Sequence, residues 1–222
     1  MSKIAEVVLA VDLGGTNLRV ALVTRDNELI AFSRWQTQAD RGPRHVIRRL
    51  LIALKDMLNK AGSSKAVVNA IIIAVAGAID IKNGVVTTSP HLSNWRNVQL
   101  RNIVFKEFGI SASIINDANA AAIGEYHCGV GKGKSSLIYI GIGTGIGAGI
   151  ILNGQLYEGA DGAAGEIGHL IIKEGGPVCS CGNRGCLEAL VSGYAIQRDI
   201  RDSINAGRKT MLLENNKSIV GV

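Results

Sequence analysis

The sequence predicts an α/β protein of two lobes with a cleft between them. Three observations predict it. Residues 7–23 and 136–152 each read as strand, Gly-rich turn, strand, so a hairpin-led unit occurs twice. Helical and fully apolar strand segments alternate between the two hairpins, the pattern of an α/β layer. The 222 residues are 47% hydrophobic and 19% charged, which suits one large or two modest domains with a real core. Two distant copies are not a solenoid-type repeat. The boundary falls near residues 116–130, giving a first lobe 1–116 and a second lobe 117–222.

The elements follow in order. Val7 to Val11 is a run of apolar and β-branched residues, as in a buried strand. Leu13-Gly14-Gly15-Thr16 is a turn, and Leu18 to Val23 and Leu29 to Trp35 are strands. Strand, turn and strand at this short spacing make an antiparallel hairpin rather than a crossover. His45 to Ala61 is a helix, with Ile47, Leu50, Leu51, Leu54, Leu58 and Ala61 at helical spacing and Gly62 as its stop. Ala70 to Val75 is wholly apolar and predicts a central strand. Val98 to Phe108 is a helix ending at Gly109, and Ser111 to Ile115 the next strand. Asn116-Asp117 opens an Ala-rich helix reaching about Tyr126.

The second hairpin has strands Ser136 to Ile142 and Ile146 to Leu152 around Gly143-Thr144-Gly145. Asn153-Gly154 signals a type I′ turn into a short strand. Gly159 to Gly168 is a loop or short helix, Leu170 to Ile172 is strand-like, and Tyr194 to Ala206 is a helix. Gly207 to Val222 reads as the start of a further element.

Composition excludes several classes. The net charge of +6 is spread along the chain, and aromatics are only 4%. No basic cluster is interleaved with aromatics, so no nucleic-acid partner is expected. The longest apolar stretch, Ala66 to Ile79, contains Asn69 and Gly77 and is too short to span a bilayer. The N-terminus lacks the charged start and apolar run of a secretory signal, so the expected location is the cytoplasm.

Three of the four cysteines lie within Cys179 to Cys186. In a reducing compartment this favours metal over disulfides. His169, Cys179, Cys181 and Cys186 form H-x9-C-x-C-x4-C, a donor set for a closed, tetrahedral structural Zn²⁺ site. Cys128 lies outside it and takes no role.

The two glycine turns suit phosphate. In Asp12-Leu13-Gly14-Gly15-Thr16-Asn17, glycines let backbone N–H groups approach phosphate oxygens, and Thr16 and Asn17 add side-chain donors. Asp12, ending a buried strand, suits Mg²⁺ through water. The Walker signature is absent. Gly143-Thr144-Gly145 is the matching turn, and a strand rather than a helix follows it, which argues against a dinucleotide fingerprint. Either turn alone could be a plain hairpin; two at matching positions favour phosphate. Asp117, at a strand end and helix start, is by its position either a general base or a helix N-cap.

DLGGTN followed by GTGIGAG resembles the phosphate loops of the actin-like ATPase (ribonuclease H-like) fold shared by actin and hexokinase. With NDANAAA, GEIGH and the cysteine run, residues 10 to about 193 resemble the ROK family of sugar kinases and repressors. The resemblance implies ATP and Mg²⁺ at Asp12, Gly14, Gly15, Thr16, Asn17, Gly143, Thr144 and Gly145. It implies Asp117 as catalytic base and Asn116, Glu166, His169 and Glu188 as sugar contacts. His169 would serve twice, one ring nitrogen on zinc and the other toward sugar, so that the metal orients a substrate contact.

The implied reaction is ATP-dependent phosphorylation of a hexose 6-hydroxyl, glucose first. N-acetylglucosamine and N-acetylmannosamine are the alternative substrates. A homodimer is usual in the family. One departure is His91, which follows Pro90 where family members usually carry Asn. A sugar-responsive repressor is the alternative of another class. Family repressors carry a helix-turn-helix ahead of the first strand, and here that strand begins within ten residues of Met1. Family kinases continue past the point where this sequence stops, so a C-terminally truncated kinase is the expectation.

Overall fold

A computed structural model describes residues 5–208. The chain divides into two compact units, Met1–Ala120 and Ala121–Val222. Among the described residues no helix is long and apolar enough to cross a membrane.

The first unit is built on a five-stranded sheet. Its strands are β1 (Glu6–Leu13), β2 (Asn17–Thr24), β3 (Leu29–Gln36), β4 (Val67–Val75) and β8 (Ala112–Asn116), in the order β3-β2-β1-β4-β8. β1, β2 and β3 are antiparallel, whereas β4 runs parallel to both β1 and β8. Alternation sends Val7, Leu9, Val11 and Leu13 of β1 into the core with Leu18, Val20 and Leu22 of β2 and Ile71, Ile73 and Val75 of β4. Each such side chain contributes about 1.5–3 kcal/mol when fully buried. The apolar run in β4 does mark a strand interior to the sheet.

Helix α1 (Pro43–Ser63) starts two residues earlier than the spacing predicts, because Pro43 fits a first helical turn. Its buried line is Val46, Leu50, Ala53, Leu54, Met57 and Ala61. The predicted Ile47, Leu51 and Leu58 flank that line and are only partly buried. Helix α2 (Leu100–Phe108) begins after Val98, contrary to the predicted start. Val98 instead pairs with Val86 in a small sheet of β5 (Ala78–Asp80), β6 (Val85–Thr88) and β7 (Arg96–Val98). That sheet has no sequence signature, since its strands are three or four residues long. Gly77 admits it: φ is +125°, and a Cβ there would lie 2.2 Å from the Thr88 carbonyl oxygen.

Register decides what the sheet presents. Leu13 pairs with Val75, and Val75 with Asn116, so the carboxyl ends of β1, β4 and β8 are level. Asp12 and Asn116 therefore come to one edge of the sheet, where α/β folds commonly bind ligands. Helix α3 (Asp117–His127) follows β8 directly.

The second unit has a three-stranded sheet of β9 (Leu137–Ile142), β10 (Ile146–Leu152) and β11 (Gln155–Leu156), in the order β11-β10-β9. Asn153 and Gly154 have φ of 50° and 81°, as the type I′ turn requires. Leu170 to Ile172 is not a strand: a single bridge joins Ile171 to Cys186. A short 3-10 turn spans Ile167–His169. Helix α4 (Leu187–Val191) carries Glu188 in its first turn, and α5 (Gly193–Asn205) follows with Ser192 as its N-cap. The segment after Gly207 lies almost wholly outside the described residues.

Candidate functional site

The first glycine turn closes β1 onto β2. The Gly14 N–H donates to the Asn17 carbonyl at 3.0 Å. Thr37, buried just beyond β3, clamps the turn from behind: its hydroxyl donates to the Gly14 carbonyl at 2.7 Å and its N–H to the Thr16 carbonyl at 2.9 Å. Gly15 is required by a close approach, since a Cβ would meet the His91 carbonyl oxygen at 2.6 Å. Among the described residues the Gly15 and Thr16 amides donate to no carbonyl or side chain. Two adjacent unspent N–H groups make an anion-receptive concavity. Asp12 forms an ion pair with Arg19, its register partner on β2, and Arg34 donates to the Asn17 side-chain oxygen at 2.9 Å.

At the end of β8 the two residues Asn116 and Asp117 divide their work. Asn116 is the helix cap: its Oδ1 accepts the Ala118 N–H at 2.9 Å and the Asn119 N–H at 3.1 Å. Its amide also donates to the Gly77 carbonyl at 3.3 Å. Asp117 accepts local backbone N–H groups, that of Ala118 at 2.9 Å and its own. Its carboxylate reaches solvent, yet the surrounding protein displaces enough water to push its pKa above the ordinary 3.8. The Ala118 N–H opposes the rise, Asp12 adds to it, and His91 opposes it.

The second glycine turn is held differently. Gly143 donates to the Gly145 carbonyl at 2.9 Å, and the Thr144 and Gly145 amides have no hydrogen-bond acceptor among the described residues. Gly193, at the start of α5, donates to the Gly143 carbonyl at 2.8 Å. Glu188 Oε2 accepts the Ile146 N–H at 3.0 Å. Gly165 and Gly168 lie flush against β10, where a Cβ would meet the Ala148 oxygen at 2.1 Å and the Ile146 oxygen at 2.2 Å respectively.

His169, Cys179, Cys181 and Cys186 converge, with their donor atoms all within 4.8 Å of one another. The Cys181 and Cys186 sulfurs are 3.7 Å apart, far beyond a disulfide bond, and His169 Nδ1 lies 3.6 Å from the Cys179 sulfur. A tetrahedron with Zn–S bonds of ~2.3 Å has edges of ~3.8 Å, so the donor set fits that ion. Burial, followed by hydrogen bonding with neighbouring sulfurs, pushes the Cys186 thiol up to about 12. A bound divalent cation would hold the thiolate instead. The other face of the His169 ring turns toward Glu166, with Nε2 3.9 Å from the carboxylate.

Residues 8–219 match the family model described as the ROK family. The chain belongs to the ROK family. It is 37% identical over 195 residues to the glucokinase of Thermotoga maritima, covering 88% of this chain and 60% of that one. It is also 36% identical over 200 residues to the xylose repressor of Caldicellulosiruptor bescii, covering 90% of this chain and 50% of that protein. A crystal structure of a ROK family glucokinase from Streptomyces griseus in complex with glucose and AMPPNP superposes with a TM-score of 0.78 at 32% identity. It covers 90% of this chain and 62% of that one. The fold is therefore the actin-like ATPase fold of ROK proteins, and the chain spans about 60% of the glucokinases' length.

Within this ROK chain, the first unit gathers Asp12, the first turn, Asn116 and Asp117 at one sheet edge. The second unit gathers Gly143–Gly145, Glu166, His169, Glu188 and the cysteines around β10. The sequence pointed to none of Thr37, Gly193 and Ser180 as supports. Thr37 had one faint signal, a polar residue closing a strand. Gly193 and Ser180 had none: the Gly143 carbonyl that Gly193 meets is remote in sequence, and the Ser180–Glu188 bond depends on how the cysteine segment folds back on α4.

Proposed function

We propose that this chain carries the machinery to transfer the γ-phosphoryl group of ATP to a hexose 6-hydroxyl. The observation that carries the reading is the division between Asn116 and Asp117. Asn116 satisfies the helix end, which leaves Asp117 a carboxylate not committed to capping. Its raised pKa makes it the better proton acceptor. Asp117 takes the proton as the sugar oxygen attacks, a contribution of about 10²–10⁴-fold in rate.

Phosphoryl transfer otherwise needs positioning and charge neutralisation. The unspent amides of Gly15, Thr16, Thr144 and Gly145 suit phosphate oxygens, helped by the side chains of Thr16 and Asn17. Mg²⁺ supplies charge neutralisation on the phosphates when bound. Asp12 would hold it through water, its present tie to Arg19 being an exposed pair of little strength. Zinc on Nδ1 leaves the neutral His169 ring its proton on Nε2, facing Glu166, so the pair offers a donor and an acceptor to a sugar hydroxyl. Asn116 retains one amide hydrogen, and Glu188 retains lone pairs, for further hydroxyls.

Glucose is the favoured hexose, supported by the glucokinase likeness and the glucose complex of the Streptomyces relative. N-acetylmannosamine and N-acetylglucosamine are the alternatives. The test is coupled ADP release over a hexose panel, with Asp117→Asn as control. Release that needs sugar and disappears in the variant is expected; release that survives it would overturn the catalytic role. A second reading, sugar binding without turnover, is favoured by the 36% identity to a xylose repressor. Sugar binding with no ADP release for any hexose would select it.

A further inference from the structure

We infer that Glu188 is a positioning residue that couples the Cys3His cluster to the second glycine turn. Metal held by the cysteines then sets the geometry of that turn. Glu188 stands two residues after Cys186, in the first turn of α4, which Cys186 caps. Its Oε2 accepts the Ile146 N–H at 3.0 Å, the first amide of β10 after the turn. Its Oε1 accepts the Ser180 hydroxyl at 3.1 Å, and Ser180 lies between the ligands Cys179 and Cys181. One carboxylate therefore spans two ligand-bearing segments and the base of the turn.

Two further contacts make the linkage stiff. Gly168, next to His169, backs onto the Ile146 carbonyl so closely that no Cβ fits. Ile146 is thus bonded at its N–H by Glu188, and its carbonyl is packed against the residue preceding another ligand. Gly193, five residues beyond Glu188, grips the Gly143 carbonyl. The Cys179 sulfur lies 3.9 Å from Glu188 Oε1 and donates toward it as a thiol. A metal-bound thiolate has no proton to donate, so the Ser180 hydroxyl is the arm that persists when metal binds. Drawing four donors around one ion fixes segments 169–188, and with them the direction in which Glu188 points.

The phosphate role of the turn rests on the function proposed above; the coupling itself does not. The test uses the whole chain, loaded with Zn²⁺ or with Co²⁺ as a spectroscopic probe, and reads amide hydrogen exchange at Ile146. Zinc is expected to slow that exchange about tenfold or more in the unaltered protein. Glu188→Ala should keep the cobalt–thiolate absorption bands and lose the slowing, and Glu188→Gln should restore part of it. Ser180→Ala, which leaves Glu188 and the ligands intact, should lose most of it and decides the matter if Glu188→Ala does not bind cobalt. Equal slowing in the Ala variants and the unaltered protein, or no effect of zinc on Ile146, would overturn the inference. AMPPNP binding is measured separately. Its affinity should fall about five- to tenfold on zinc removal, and linkage requires AMPPNP to tighten the metal by the same factor. Zinc-dependent protection without any AMPPNP binding would leave the coupling standing and sink the phosphate reading.

Discussion

The two glycine turns present the same backbone device and are secured by different physics. Both close a hairpin, and both leave two consecutive amides unspent. The first is clamped by Thr37 and by the His91 backbone, within a unit whose core runs through β1, β2, β4 and α1. The second is clamped by Glu188, Gly168 and Gly193, which flank the cysteine cluster. Around that cluster the buried apolar group is Cys179, Cys186 and Ala189, with Ile146, Ala148 and Ile151 buried on β10, while Ile138, Ile140 and Ile142 of β9 are exposed. Where little apolar surface is buried, a metal can supply the cross-links that packing does not. The first turn is thus secured by the hydrophobic core, and the second by contacts to a segment whose donor set suits a metal.

The largest test of this contrast is removal of metal. Chelating the zinc-loaded chain, or replacing Cys186 by Ser, should abolish exchange protection in β10 and α4 and leave β1, β2, β4 and α1 protected. A structural zinc site is worth about 10–16 kcal/mol in small domains. Equal loss in both units, read by residue-resolved exchange, would erase the distinction.

Asp117→Asn should lower sugar-dependent ADP release by about 10²–10⁴-fold without moving either turn. It should also raise Tm at pH 7. The folded state holds the Asp117 proton more tightly than the unfolded chain, so the ionised carboxylate costs stability above its raised folded pKa. Below the ordinary 3.8 both states are protonated and the cost is gone, so the two melting curves should converge as pH falls. Melts of both proteins across that range check the sign.

Gly15→Ala should cost about 1–3 kcal/mol, because the added methyl meets the His91 backbone at 2.6 Å and the loop must shift. Gly14→Ala should cost less, since its nearest atom is 3.3 Å away. Urea unfolding and AMPPNP affinity should rank the two in that order. Thr37→Val should have the smallest effect, about 1 kcal/mol from the lost bond to the Gly14 carbonyl. It should weaken nucleotide binding whether or not zinc is present. A zinc-dependent effect of Thr37→Val would show that the two turns are not independently held.

Most of the first unit was legible because its signals are local. Alternating apolar residues in β1 and β2, the helical spacing of α1 and the unbroken apolar run in β4 each state their own structure. Asn153-Gly154 announced a turn that only left-handed residues make, and the cysteine spacing announced its donor set. The small sheet of β5, β6 and β7 was not legible, since strands of three or four residues carry too little periodicity. The start of α2 moved for the same reason, Val98 being claimed by a strand partner.

Residue order supplies the chemical groups: two glycine turns, an acid at a helix start, a His–Glu pair and four metal donors. How each group is used follows from the folded contacts. Asn116 and Asp117 are adjacent and both favoured as caps; the Asn116 amide is bonded to the Gly77 carbonyl, 39 positions away, while its Oδ1 takes the helix amides. The resemblance makes Glu188 a sugar contact, and folding in addition gives its carboxylate bonds to Ile146, 42 positions away, and to Ser180. Residue type and spacing set what a side chain can bond. Which bond it makes depends on partners that only folding brings within hydrogen-bond reach.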